Sequence, residues 1–139
     1  MELSELYKLF EQHPTITTDS RDCPAGSIFF ALKGASFDGN KFAAASLEKG
    51  CAYAVIDESE YAVDGDRRFI IVDDCLQTLQ LLARYHRRQL GTPVIGITGT
   101  NGKTTTKELA SAVLGEKYNV LFTQGNFNND VGVPKTLFR

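Results

Sequence analysis

Apolar positions fall in short blocks whose spacing changes along the chain. Leu3, Leu6, Leu9 and Phe10 share one helical face, and His13-Pro14 ends that element. Residues 15–18 are β-prone, and 27–32 form a continuous apolar run of the kind that makes a buried strand. A turn-rich loop over 33–40 follows, then a helical pattern over 41–49 closed by Gly50. Residues 52–56 and 69–72 read as strands on either side of a polar surface excursion at 57–68. Asp73 or Asp74 caps a long helix in which Leu76, Leu79, Leu82, Ala83 and Leu90 recur at 3–4 spacing, and Gly91 and Pro93 stop it. Beyond it the pattern predicts a strand at 94–98, a helix at 103–115 and a strand at 119–122.

Alternating strands and helices imply an α/β fold with mostly parallel pairing. Gly91-Thr92-Pro93 is the candidate boundary, with a first unit over residues 1–91 and the start of a second over 92–139. Two strands and a helix leave sheet faces and an edge uncovered, so the second unit reads as the truncated opening of something larger.

Composition narrows the classes. The apolar fraction is 42%, the charged fraction 23% and the net charge −2, giving no electrostatic footprint for nucleic acid or an anionic membrane. Arg84, Arg87 and Arg88 read as a solvated helix end complementing the helix dipole. His13 reads as a surface residue and His86 as a packed or capping one. Cys23, Cys51 and Cys75 are odd in number and widely spaced, the usage of reduced thiols. No apolar run reaches the roughly 20 residues of a membrane span, and the acidic start lacks a signal-peptide core. A cytoplasmic protein is expected.

The stretch with the most specific chemistry is Val94-Ile95-Gly96-Ile97-Thr98-Gly99-Thr100-Asn101-Gly102-Lys103-Thr104-Thr105. A β-rich run enters a glycine-punctuated turn, then Lys-Thr, then a helix. Glycines let backbone N–H groups close around phosphate oxygens, Lys103 can reach the β- and γ-phosphates, and the Thr104 hydroxyl can serve Mg²⁺. The spacing is irregular, since Ile97 stands where a phosphate loop usually has its first glycine. The plain structural alternative is a βα turn with no ligand. Lys107, one turn on, could help with phosphates, but the simpler reading is an exposed helix residue.

Three further stretches complete the picture: Thr17-Thr18-Asp19-Ser20-Arg21, Ala31-Leu32-Lys33-Gly34 with Asp38-Gly39, and Gly125-Asn126-Phe127-Asn128-Asn129-Asp130-Val131-Gly132-Val133-Pro134. With Gly99-Thr100-Asn101-Gly102-Lys103-Thr104 they resemble the Mur ligase family of ATP-dependent amide-forming enzymes, whose phosphate loop has this irregular glycine spacing. The Asn-rich stretch resembles the branch that adds D-alanyl-D-alanine to UDP-N-acetylmuramoyl-tripeptide. Asn40 departs from the family, which often shows His after Asp-Gly.

The resemblance implies a small N-terminal α/β UDP-binding domain followed by the first βαβ unit of a P-loop, Rossmann-like ATPase domain. Thr18 and Ser20 match positions that contact uridine, and Ala35, Ser36 and Phe37 match the loop against uracil. Arg21 can offset diphosphate charge, and Phe37 can stack. Asn126, Asn128 and Asn129 offer uncharged amides to substrate oxygens. Asp19-Ser20-Arg21 can equally be a local Asx turn, and the Asn-rich stretch a turn-forming loop.

ATP and Mg²⁺ are the implied cofactors, bound by Gly99, Thr100, Asn101, Gly102, Lys103, Thr104 and Thr105, with Lys103 and Thr104 in catalytic roles. The implied chemistry is formation of an acyl phosphate on the tripeptide carboxylate, displaced by the amine of D-alanyl-D-alanine. A monomer without nucleic-acid or membrane partners is expected, and this chain alone is expected to be inactive. The alternatives are the sibling ligase adding the third residue, folylpolyglutamate synthase (which shares the loop), and a non-catalytic nucleotide-binding module.

Overall fold

A computed structural model describes residues 2–125 and 127–139. Its centre is a four-stranded, all-parallel sheet with strand order β1-β2-β5-β6, from β1 (Ile16–Thr17), β2 (Ile28–Phe30), β5 (Tyr53–Ile56) and β6 (Phe69–Ile71). The register pairs Ile28 with Tyr53, Phe30 with Val55 and Val55 with Ile70. Ile28, Phe29, Phe30, Ala54, Val55 and Ile56 are wholly buried, so both faces of the central strands are covered, as parallel pairing demands.

The cover is helical. α1 (Leu3–Gln12) and α3 (Cys75–Leu90) pack together, α3 lies on β2, and α2 (Ala43–Glu48) packs on β5. Leu6 and Phe10 of α1 and Leu79 and Leu82 of α3 enter the core, as their spacing predicts. Asp74 caps α3 by accepting from the Gln77 amide at 2.7 Å, and Gly91 ends it at φ +62°. His86 is packed, its Nδ1 within 3.2 Å of the Tyr7 hydroxyl and its ring 4.9 Å from Phe10. His13 is not free on the surface. Its Nδ1 lies 2.9 Å from the Gly26 carbonyl oxygen and its ring packs edge-on to Tyr53, tying the end of α1 to the turn before β2.

Other parts of the chain differ from what the pattern predicts. The 33–40 loop contains an antiparallel hairpin, β3 (Lys33–Gly34) and β4 (Phe37–Asp38), followed by a short 3-10 turn at Gly39–Phe42. Gly39 is compulsory there, because a Cβ would fall 2.7 Å from the Leu32 carbonyl oxygen.

The predicted strands at 94–98 and 119–122 do not form. Neither finds a ladder partner among the described residues, and an apolar run without one stays open: Ile95 is 70% exposed. The helix between them forms as expected, α4 (Lys103–Gly115), but buries no residue and leaves Leu109 and Val113 exposed.

Finally, the chain folds back. α5 (Gly132–Leu137) packs on α3, and Phe138 stands 5.0 Å from the Phe10 ring. Pro134 lies in the first turn of α5, where a missing N–H costs no intrahelical bond.

Candidate functional site

Parallel strands deliver their following loops to one edge of a sheet, where α/β proteins place ligands. Thr18, Ser20 and Arg21 follow β1, the β3–β4 hairpin follows β2, and Asp57 follows β5.

The loop after β1 is internally braced. The Thr17 hydroxyl donates to the Asp22 carbonyl at 2.8 Å and accepts from the Asp19 amide at 3.2 Å. Arg21 donates from its backbone N and its Nε to Asp19 Oδ1, both at 2.9 Å, and from Nη2 to Oδ2 at 2.8 Å. Those bonds hold the Asp19 carboxyl well below the usual carboxylate range. The local Asx turn is therefore real, and the Arg21 fork is already engaged on one side. Ser20 is buried, and Lys49, at the end of α2, donates to its carbonyl at 2.6 Å. Lys49 escaped the sequence reading because the contact spans 29 positions.

Ala35 and Ser36 form the exposed tip of the hairpin, and Phe37 stacks on Phe42 with ring centroids 5.4 Å apart and nearly parallel. The hairpin is anchored from below by Asn40, which is 1% exposed. Its Nδ2 donates to Asp38 Oδ1 and Asp57 Oδ1, each at 2.9 Å, and its Oδ1 accepts the Asp57 amide at 3.1 Å. Asp57 also takes Lys33 at 2.9 Å and the Cys75 amide at 3.2 Å, while Lys33 reaches Glu58 at 2.7 Å. Burial works against ionising Asp57, but Lys33, Asn40 and the Cys75 amide outweigh it and its pKa is lowered. The hydrogen bonds that Lys33 donates to Asp57 and then to Glu58 raise its own pKa. The start of the polar excursion is thus a structural keystone, and Asn40, the departure from the family pattern, is its buried centre.

The second candidate region is the turn before α4. Gly99 and Gly102 adopt φ +154° and +76°, values that favour glycine. Gly102 is the N-cap residue and has no side chain to cap with, so the first-turn amides of Lys103, Thr104 and Thr105 are left for another acceptor. The Lys103 ammonium folds back onto the Gly99 carbonyl within the same turn. Uncapped amides, left-handed glycines and a lysine at the rim suit a polyphosphate, and the Thr104 hydroxyl is exposed beside them.

Asn128 and Asn129 lie exposed before α5, and Asn126 lies outside the described residues. The Asn129 side-chain oxygen already accepts the Gly132 amide at 2.7 Å, leaving its NH₂ as the free end. Two clefts flank α5. One, of about 320 Å³, is lined by Thr15, Gln124, Phe127, Lys135, Phe138 and Arg139 among others. Neither of these two clefts is lined by Thr18, Ser20, Ser36 or the 99–105 turn.

Cys51 and Cys75 are buried. All three cysteines are free, and burial pushes the Cys75 thiol up to about 12. Among the described residues no His/Cys/Asp/Glu cluster could hold a metal, and no helix is long and apolar enough to cross a membrane.

Comparison with known proteins decides the family. The model for "Mur ligase family, catalytic domain" matches residues 14–87, more than half the chain. The chain belongs to the Mur ligase family. The "Mur ligase middle domain" model matches residues 97–139. A Mur ligase from Bacillus subtilis, UDP-N-acetylmuramoyl-tripeptide–D-alanyl-D-alanine ligase, is 45% identical over 122 residues, covering 88% of this chain and 27% of its own. The crystal structure of MurF from Acinetobacter baumannii superposes with a TM-score of 0.80 at 39% identity, over 89% of this chain and 27% of that one. MurF ligase from Thermotoga maritima in complex with ADP superposes equally, at 0.80 and 31% identity, over 89% and 28%. This Mur ligase chain therefore spans about a quarter of the length of the relatives it matches.

Proposed function

We propose that this chain serves an ATP-dependent amide ligase that joins D-alanyl-D-alanine to UDP-N-acetylmuramoyl-tripeptide, in cytoplasmic peptidoglycan precursor synthesis. The observation that carries the proposal is the uncapped, glycine-hinged turn with Lys103 at its rim, in a chain 45% identical to a ligase of that name. The ADP complex of the Thermotoga relative supports ATP as the nucleotide.

In this reading, the amides of residues 103–105 and the Lys103 ammonium hold the β- and γ-phosphates, and Gly99, Thr100, Asn101 and Gly102 shape the cradle. The Thr104 hydroxyl takes Mg²⁺. When bound, Mg·ATP supplies the activation that a carboxylate, a poor electrophile, needs to accept an amine. The chain's own part is to place charge: Lys103 and the helix amides offset the negative charge that grows on the transferred group.

Residues 1–91 would be the UDP-substrate unit and 92–139 the start of the ATP unit, a division supported by the family models, which leave 88–96 unmatched between them. Thr18 and Ser20 would meet the uridine, Arg21 the diphosphate, and Ala35, Ser36 and Phe37 the uracil. Asn126, Asn128 and Asn129 would meet the rest of the substrate. The protein acts as a monomer, without nucleic acid or membrane.

Mass spectrometry of the reaction of the full-length protein tests this. Pentapeptide product should appear only with ATP, UDP-muramoyl-tripeptide and D-alanyl-D-alanine together. Failure to form it from all three would overturn the proposal.

A further inference from the structure

Lys103 and Lys107 stand four residues apart on one face of α4 and do different work. Lys103 closes on its own turn. Lys107 leaves the helix: its ammonium donates to the Thr123 carbonyl at 2.6 Å and the Gly125 carbonyl at 3.3 Å, and pairs with Glu108 at 3.1 Å. It also lies 5.8 Å from the centre of the Phe122 ring. An ammonium has three donors, and here three acceptors face them, so none is spare for a phosphate.

Lys107 is not the exposed helix residue the sequence suggests: its side chain is only 14% exposed, although α4 as a whole buries no residue. A cation withdrawn from water is stable only when so matched. The carbonyls it serves belong to a stretch with no strand ladder, whose backbone acceptors need another partner.

The far side of the Asn-bearing turn is pinned separately. Gly132 donates to Asn129 Oδ1, and a Cβ at Gly132 would fall 2.7 Å from the Phe127 backbone. α5, which begins there, is docked on α3. The turn is thus held at 123–125 by the phosphate-turn helix and at 129–132 by the first unit.

We propose that Lys107 is a positioning residue that sets the Asn-bearing turn relative to the Lys103 turn, and so links the phosphate cradle to the substrate-binding unit. Its kinetic consequence rests on the proposed substrate role of Asn128 and Asn129, so those residues are tested beside it.

The experiment uses the full-length ligase as wild type, K107M, K107R, N128A and N129A. K107M should speed hydrogen exchange of the 123–131 amides about tenfold while α3 is unchanged. It should raise KM for UDP-muramoyl-tripeptide about tenfold and leave Mg·ATP affinity within about twofold of wild type. K107R, which keeps a charged donor, should restore most of both effects. Unchanged exchange in K107M overturns the proposal. So does an unchanged KM in K107M when N128A or N129A raises it. A loss of Mg·ATP affinity as large as the rise in KM would make Lys107 a phosphate ligand and overturn it too. If both Asn variants are silent, the Asn assignment fails on its own, and the exchange result alone decides the Lys107 pin.

Discussion

Asn40→Ala removes the buried centre of the hairpin anchor. Three side-chain hydrogen bonds disappear, two donated by Nδ2 and one accepted by Oδ1. Their net worth is about 1 kcal/mol each, and the Asp57 amide left without its acceptor adds a penalty of similar size, so the loss is about 4 kcal/mol. With roughly 2 cal/mol/K of unfolding entropy per residue, that lowers Tm by about 14 °C. Urea unfolding followed by circular dichroism should show a reduced midpoint with an unchanged slope. Asn40→Asp should be no better, because it sets a third carboxylate beside Asp38 and Asp57 and deletes the donor they share. The hairpin carrying Ala35, Ser36 and Phe37 should loosen with it, weakening binding of the UDP substrate by the full-length protein. A loss under about 1 kcal/mol for Asn40→Ala would refute the reasoning, since a buried amide with three partners cannot be that cheap to delete.

Other outcomes follow from the same geometry. Gly39→Ala should destabilise by about 2 kcal/mol, read from chemical unfolding, because its Cβ would meet the Leu32 carbonyl oxygen at 2.7 Å. Burial lowers the pKa of His86 below its ordinary 6.5, while Glu11 pulls the other way. The folded state therefore holds fewer protons, so this contribution to stability is full above pH 6.5 and is lost as pH falls through the folded value. Wild type should lose more stability than His86→Phe between pH 7.5 and 5.5, and equal losses would contradict the assignment. Lys103→Met in the full-length protein should cut kcat about a hundredfold. Affinity for UDP-muramoyl-tripeptide, measured by calorimetry, should be unmoved.

The local signals were legible and the distant ones were not. α1 and α3 announced themselves by 3–4 spacing, and Asp74 and Gly91 marked the ends of α3 with the cap chemistry their positions imply. The buried runs of β2 and β5 declared a parallel sheet. The runs at 94–98 and 119–122 have strand character too, yet pairing is a property of neighbours, and among the described residues they find none. The β3–β4 hairpin is too short and polar to show a period. α5 hides behind Asn129, Gly132 and Pro134, residues that read as a turn.

At the candidate site, the Gly99–Lys103 turn could be read because its chemistry is contiguous. Asn40 with Asp57, Lys49 with Ser20 and Lys107 with Thr123 join positions 16 to 29 apart, and no local pattern encodes such pairs. Arg21 shows the opposite case: its motif was visible, but only the structure shows that Asp19 already occupies part of its fork.

The central claim is a division of labour, a nucleotide-phosphate cradle at Lys103 and a uridine-diphosphate surface after β1 and β2. Amide NMR of the full-length protein labelled at glycine and threonine tests it most directly. Mg·ATP should shift Gly99, Gly102, Thr104 and Thr105, and UDP-muramoyl-tripeptide should shift Thr18 and Gly34, each ligand leaving the other set in place. Mg·ATP that leaves Gly99 to Thr105 unmoved, or the two ligands perturbing one common set, would contradict the account.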